Sequence, residues 1–141
     1  MAGKPYVIEN VMRAPLVNAL KLCGTMFGLK VIRHRLFECN PPIYFSPTCQ
    51  CKDKHTQIGG KHGFLGGTYQ DKMEGYITVV GATFKREVGA WAMGIDWMSR
   101  KELSQAIPPA YTKYIGGLLL ANTALLSNKS VQLTSGTVRL K

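Results

Sequence analysis

The sequence predicts an α/β fold. A β-branched and aromatic run, Tyr6-Val7-Ile8, reads as a strand. Residues 30–38 alternate, with Val31, Arg33, Arg35 and Phe37 on one face and Ile32, His34, Leu36 and Glu38 on the other. Ser99-Arg100-Lys101-Glu102 has the spacing of a reciprocal N-terminal cap, and Pro109 is suited to open a further helix.

Taken in order, the first run reads as a buried strand whose C-terminal end carries Glu9 and Asn10, the end at which ligands sit in open parallel α/β sheets. Leu16 to Leu22 shows helical spacing after Pro15, and Gly24 and Gly28 bound a turn. The second strand follows over 30–38. Its two same-face arginines are costly to bury without a partner, so they are solvated or aimed at an anion. Residues 40–75 form a loop-rich insert, opened by Pro41, Pro42 and Pro47 and continued by Gly59, Gly60, Gly63, Gly66 and Gly67. Tyr76 to Phe84 reads as a strand, and Glu87 to Met93 as a helix closed by Gly94. A short helix over 100–105 stops before Pro108-Pro109, and a longer one runs from there to about Leu126 with Tyr111, Ile115, Leu118, Leu119 and Leu126 on its apolar face. The tail from Ser127 is expected to add one strand or stay loose. The domain reading is therefore a core over 1–39, the insert over 40–75, closing strand and helices over 76–127 and a tail over 128–141.

Charge gives the first indication of a partner. Eighteen Lys and Arg against eight Asp and Glu leave a net charge of +10, spread along the chain. A surplus of this kind suits phosphate, and double-stranded DNA is the expected ligand; a basic fold that binds nothing anionic is the plain alternative. Forty-five per cent hydrophobic content fits a packed domain, not a disordered one. Met1 to Lys4 lead straight into a strand, without a secretory leader, so a cytoplasmic, reduced protein is expected, with Cys23, Cys39, Cys49 and Cys51 unpaired. The apolar stretch Ile115–Leu126 is too short and too polar to span a bilayer.

Several motifs together resemble one family. Pro5-Tyr6-Val7-Ile8-Glu9-Asn10-Val11 is similar to the Glu-Asn-Val motif of DNA (cytosine-5) methyltransferases. Cys23-Gly24-Thr25-Met26-Phe27-Gly28-Leu29, followed by Arg33-His34-Arg35-Leu36-Phe37-Glu38, resembles that family's Arg-x-Arg strand. Ala92 to Met98 and Gln105 to Gly116 look like the closing segments of phage and bacterial members. The resemblance runs in the family's order over residues 4–120. It implies the C-terminal half of a doubly wound, Rossmann-like methyltransferase sheet.

It also implies roles. The family adds a cysteine thiolate to C6 of a cytosine flipped out of the duplex, and transfers a methyl group to C5 from S-adenosylmethionine. By resemblance Glu9 would hold or protonate the ring near N3, Arg35 would contact the base O2, Arg33 a nearby phosphate, and Asn10 would fix the loop. Lys52 and Lys54 are further DNA-binding candidates in the insert, and Gln105 a weak cofactor contact. A surface carboxylate, a turn asparagine and solvated arginines are the corresponding plain readings. The chain departs from the family at Val31, where a Gln is common, and at Ser104-Gln105-Ala106-Ile107, where Gly-Asn-Ser-Val is usual. The family's Gly-rich cofactor turn and Pro-Cys-Gln nucleophile precede the Glu-Asn-Val strand, so both are expected on a complementary methyltransferase chain, or a homodimer covers the same surface. A non-catalytic DNA-binding remnant is the alternative. Ser46-Pro47-Thr48-Cys49-Gln50 imitates the nucleophile motif with Thr48 in place of Pro, and would make Cys49 the thiolate if the order were permuted. The same loop offers Cys49, Cys51, His55 and His62 as a looser zinc set.

Overall fold

The structure, a computed structural model, describes residues 4–51, 76–81 and 84–134, with side chains up to residue 122 in the last helix. It is mixed α/β. Three strands, β1 (Tyr6–Asn10), β2 (Leu20–Leu22) and β3 (Arg35–Asn40), form an antiparallel sheet in the order β1-β3-β2. Three helices follow, α1 (Arg86–Met93), α2 (Arg100–Gln105) and α3 (Pro109–Thr134).

Local signals set the helices. Gly94 closes α1 in the left-handed conformation at φ 67°, which costs glycine nothing sterically. At α2 the Ser99 hydroxyl accepts from the Glu102 amide, while the Glu102 carboxylate accepts from the Ser99 amide at 2.7 Å. Pro109 begins α3 where its missing N–H costs no hydrogen bond. This helix continues to Thr134, beyond the end near Leu126 that its apolar stripe predicts, so residues 128–134 are helical and not strand or loose tail.

The strands differ more from expectation. Leu16 to Leu22 is not a helix. Asn18 takes a positive φ of 48°, the preceding chain is irregular, and Leu20 and Leu22 alternate inward around exposed Lys21 as β2. Tyr6, Val7 and Ile8 do form a strand, but they are 44–45% exposed and not buried. The reason is their position: β1 lies at a sheet edge, laddered only to β3 among the described residues. The parallel sheet expected from the sequence is likewise absent from the described strands. A parallel bridge joins Val31 and Ile77, and Tyr76 and Ile77 are bridge residues where the strand over 76–84 is expected, without a regular strand among the described residues.

Two apolar clusters form the core. One gathers Val31, Ile77, Val79, Phe84, Val88, Met93, Ile95 and Leu103 between α1 and α2. The other packs Leu20, Leu22, Phe37, Cys39 and Ile43 against Tyr111 and Ile115 of α3. Arg33 joins them. It is 4% exposed and donates from Nη1 to Val79 O at 2.5 Å and from Nη2 to Ser104 O at 2.9 Å. Its own carbonyl accepts the buried Tyr111 hydroxyl at 2.5 Å. No helix of the described residues is long and apolar enough to cross a membrane.

Candidate functional site

The antiparallel register of β1 and β3 sets Glu9 opposite Phe37, so Glu9 and Arg35 lie on the same face of neighbouring strands, one diagonal step apart. Their side chains meet: Arg35 Nε is 2.9 Å from Glu9 Oε1, with the side chains 20% and 32% exposed. Glu9 Oε1 is closed off from solvent and meets the arginine's charge without a well-aligned hydrogen bond among the described residues. Arg35 Nη1 turns back to His34 O at 3.0 Å, which fixes the guanidinium from behind. Asn10, at the end of β1, is exposed, and its Oδ1 accepts from the Val11 amide at 2.8 Å in a tight local turn. Residues 26 positions apart, assigned to two separate motifs, therefore form one contact.

Arg33 goes elsewhere. The expected phosphate contact needs an accessible guanidinium, whereas two of its nitrogens here are committed to backbone carbonyls inside the fold. Burial, then the neighbouring Arg35, push its pKa down to about 10, still high enough to keep it charged at neutral pH. Gln105 ends α2 in an exposed position, with Nε2 3.5 Å from Ser104 Oγ. Lys52 and Lys54 lie outside the described residues, as do His55 and His62.

Beside Arg35 on the chain, His34 enters a second cluster. The ligand atoms of Cys23, His34, Cys49 and Cys51 all lie within 4.8 Å of one another. His34 Nε2 is 3.6 Å from Cys49 Sγ and 3.5 Å from Cys51 Sγ, and the two sulfurs are 3.1 Å apart. Cys23 follows β2 and precedes a turn of 3-10 helix, Gly24–Phe27. The close approach of this turn to the next segment requires Gly24: a Cβ there would lie 2.3 Å from Val31 O. Thr25 ties the cluster to the loop. Its hydroxyl lies 3.4 Å from Cys23 Sγ, accepts from the Gln50 amide at 3.3 Å, and is 3.7 Å from Cys49 Sγ. Burial pushes the Cys49 thiol up, but hydrogen bonds from Cys51, His34 and Thr25 outweigh it and bring the group down to about 6. Cys51, hydrogen-bonded to Cys49 and partly buried, is pushed up to about 11.

Cys49 and Cys51 were legible as metal candidates from their spacing; Cys23 and His34 were not, because they reach the loop only through the fold. All four cysteines carry free thiols. Cys39 stands apart from the cluster, buried on β3 with its thiol pushed up by burial and by Glu38. Against known proteins, no family model, no curated protein and no solved structure matches this chain.

Proposed function

We propose that this chain is the base-gripping part of a DNA cytosine-5 methyltransferase, working with S-adenosylmethionine. The observation that carries this reading is the Glu9–Arg35 pair. Two residues assigned to the flipped cytosine by resemblance, from separate motifs, are brought to 2.9 Å. The Glu9 carboxylate, 32% exposed and held beside a guanidinium that Glu9 and His34 O fix in place, offers an acceptor next to a charged donor. That suits the N3/N4 edge and O2 of a cytosine. Arg33 acts in this reading as a positioning residue that anchors the chain just before Arg35.

The Gly-rich cofactor turn and the Pro-Cys-Gln nucleophile are not among these 141 residues. The polypeptide that supplies them docks, in this proposal, on the open edge of β1 and extends the three strands towards a doubly wound sheet. Exposed Tyr6, Val7, Ile8, Val11 and Met12 support that placement, because an edge strand carrying so much apolar surface is a template for another strand. Double-stranded DNA is the substrate, drawn by the net charge of +10.

The test is a tagged copy purified from its native cells with whatever it binds, assayed for transfer of labelled methyl groups to cytosine C5. Glu9→Gln should reduce transfer by about two orders of magnitude or more, while leaving duplex affinity near wild type. A preparation that binds DNA in a salt-dependent way but neither retains a cofactor-binding partner nor transfers methyl groups would overturn this reading. The high positive charge would then favour a DNA-binding remnant.

A further inference from the structure

We propose that Cys23, His34, Cys49 and Cys51 form a tetrahedral metal centre that takes one zinc ion and pins the loop after β3 to the base of the sheet. This stands apart from the methyl-transfer reading and does not depend on it.

The donor set comes from separate parts of the chain: the end of β2, the residue before β3, and a loop that returns from the far end of β3. Neighbours in sequence do not make such a cluster; the fold assembles it. Its separations lie near those around a tetrahedral ion, with Cys23 Sγ within 4.8 Å of the other three ligand atoms. Zinc–sulfur bonds of about 2.3 Å and zinc–nitrogen bonds of about 2.0 Å put ligand atoms about 3.5–3.8 Å apart around the ion. The His34–Cys49 and His34–Cys51 separations of 3.6 and 3.5 Å fall at the imidazole–thiolate spacing. The Cys49–Cys51 pair at 3.1 Å needs to open by about 0.7 Å to reach the thiolate–thiolate spacing, a small change for two side chains on one loop. At that distance the sulfurs are also well outside the S–S bond length of about 2.05 Å.

Chemistry selects the ion. Three thiolates and an imidazole are soft to borderline donors, matched to zinc and poorly matched to magnesium or calcium. On binding, the cysteines that still carry thiol protons release them to solvent, and all three sulfurs donate electron pairs to the ion. The bound centre keeps one net negative charge, in a chain that is otherwise strongly basic. Four protein ligands leave no open position, so the centre is structural and not hydrolytic. The surroundings serve it as well. Cys23 is buried, and the Thr25 hydroxyl sits against two of its sulfurs, the kind of outer hydrogen bond that orients metal ligands.

The test uses the full chain. Purified protein is desalted and its zinc measured per chain, then the zinc is exchanged for cobalt(II). The expected result is one zinc per chain and, with cobalt, the intense visible bands and sulfur-to-metal charge transfer of a tetrahedral thiolate site. His34→Cys, which replaces one good ligand by another, should retain one ion and shift the cobalt bands towards those of a four-thiolate site. Thr25→Val keeps every ligand and should weaken metal binding by about ten- to a hundredfold in competition with a chromogenic chelator. A chain that takes up no cobalt with tetrahedral bands overturns the proposal. So does a His34→Cys variant whose cobalt spectrum is identical to wild type, because the metal then sits elsewhere.

Discussion

Replacing Arg33 by Met tests whether this side chain is a clamp or a DNA contact. The guanidinium donates to Val79 O from one apolar cluster and to Ser104 O at the end of α2, while the backbone at the same residue accepts from Tyr111 of the other cluster. A hydrogen bond from a charged donor contributes about 1.5–3 kcal/mol, so the gross loss is about 3–6 kcal/mol. Removing a buried cation returns part of that, since its desolvation is itself unfavourable and Met fills much of the volume. A net destabilisation of about 2–4 kcal/mol remains. For a chain of 141 residues, each kcal/mol moves the midpoint by about 3–5 °C, so the melt should fall by about 10 °C. Tyr111→Phe removes only the hydroxyl and should cost about 1 kcal/mol. Because both act on residue 33, the double variant should depart from additivity by more than about 0.5 kcal/mol. The assay is thermal unfolding followed by circular dichroism, alongside DNA titration at two salt concentrations. An Arg33→Met protein that melts at the wild-type temperature but shows a shallower salt dependence of DNA binding would refute the clamp and restore the phosphate contact.

Other substitutions probe separate parts of the structure. Gly24→Ala places a Cβ against Val31 O, a backbone atom that cannot swing away, and should destabilise by about 1–3 kcal/mol in a denaturant titration. Ser99→Ala removes the α2 cap and should cost about 1 kcal/mol. The Glu102 carboxyl is held below its ordinary value by hydrogen bonds from Ser99, so this cap's contribution is present at neutral pH and lost as pH falls through the depressed value. Glu102→Gln, which keeps an acceptor for the Ser99 amide but removes the titrating carboxyl, should therefore narrow the difference between neutral and acid melting temperatures, and an unchanged pH profile would count against this contribution. Ile8→Lys on the exposed edge strand should leave the melt within about 0.5 kcal/mol of wild type while abolishing co-purification of a strand-donating partner.

What could be read from the sequence was local. The Ser99–Glu102 cap, the Gly94 stop and the Pro109 start depend on residues within a turn of one another, and each appears where the pattern puts it. The alternation announces β3 in part: of the strand expected over 30–38 only Arg35 to Glu38 lie in β3, which runs on through Cys39 to Asn40. What could not be read depended on neighbours in space. Leu16 to Leu22 has apolar spacing compatible with a helix, and it is pairing with β3 and burial of Leu20 and Leu22 in the cluster with Tyr111 and Ile115 that select the strand. The apolar run of β1 suggests burial, yet nothing among the described residues covers it, so composition alone misjudged its exposure. Same-face arginines at 33 and 35 look equivalent in the pattern. The regular strand begins only at Arg35, so alternation fails to predict where Arg33 points. In the metal cluster, Cys49 and Cys51 share a local motif, but Cys23 and His34 join them from 26 and 15 residues before Cys49, a spacing with no recognisable period.

These assignments converge on three consecutive residues. Arg33 is locked into the core, His34 faces the cysteine cluster, and Arg35 meets Glu9 across the sheet. Each neighbour restricts the backbone on which Arg35 stands: the clamp on one side fixes the chain entering the strand, and a metal on His34 would fix the peptide whose carbonyl accepts from Arg35 Nη1. Guanidinium placement is therefore not a property of the Arg35 rotamer alone. It depends on the Arg33 clamp and, with the proposed metal bound, on His34 as well, and the two can be released separately. If the proposed metal is bound, chelating it would free residue 34 while the clamp holds, and Arg33→Met would free residue 33 while the metal holds. If Arg35 grips a base, either release should weaken methyl transfer more than it weakens DNA binding, because duplex affinity comes from many dispersed charges whereas base gripping depends on one short geometry. Equal losses in both would mean that the two anchors serve only stability, and that the Glu9–Arg35 pair is a structural ion pair on a basic DNA-binding surface.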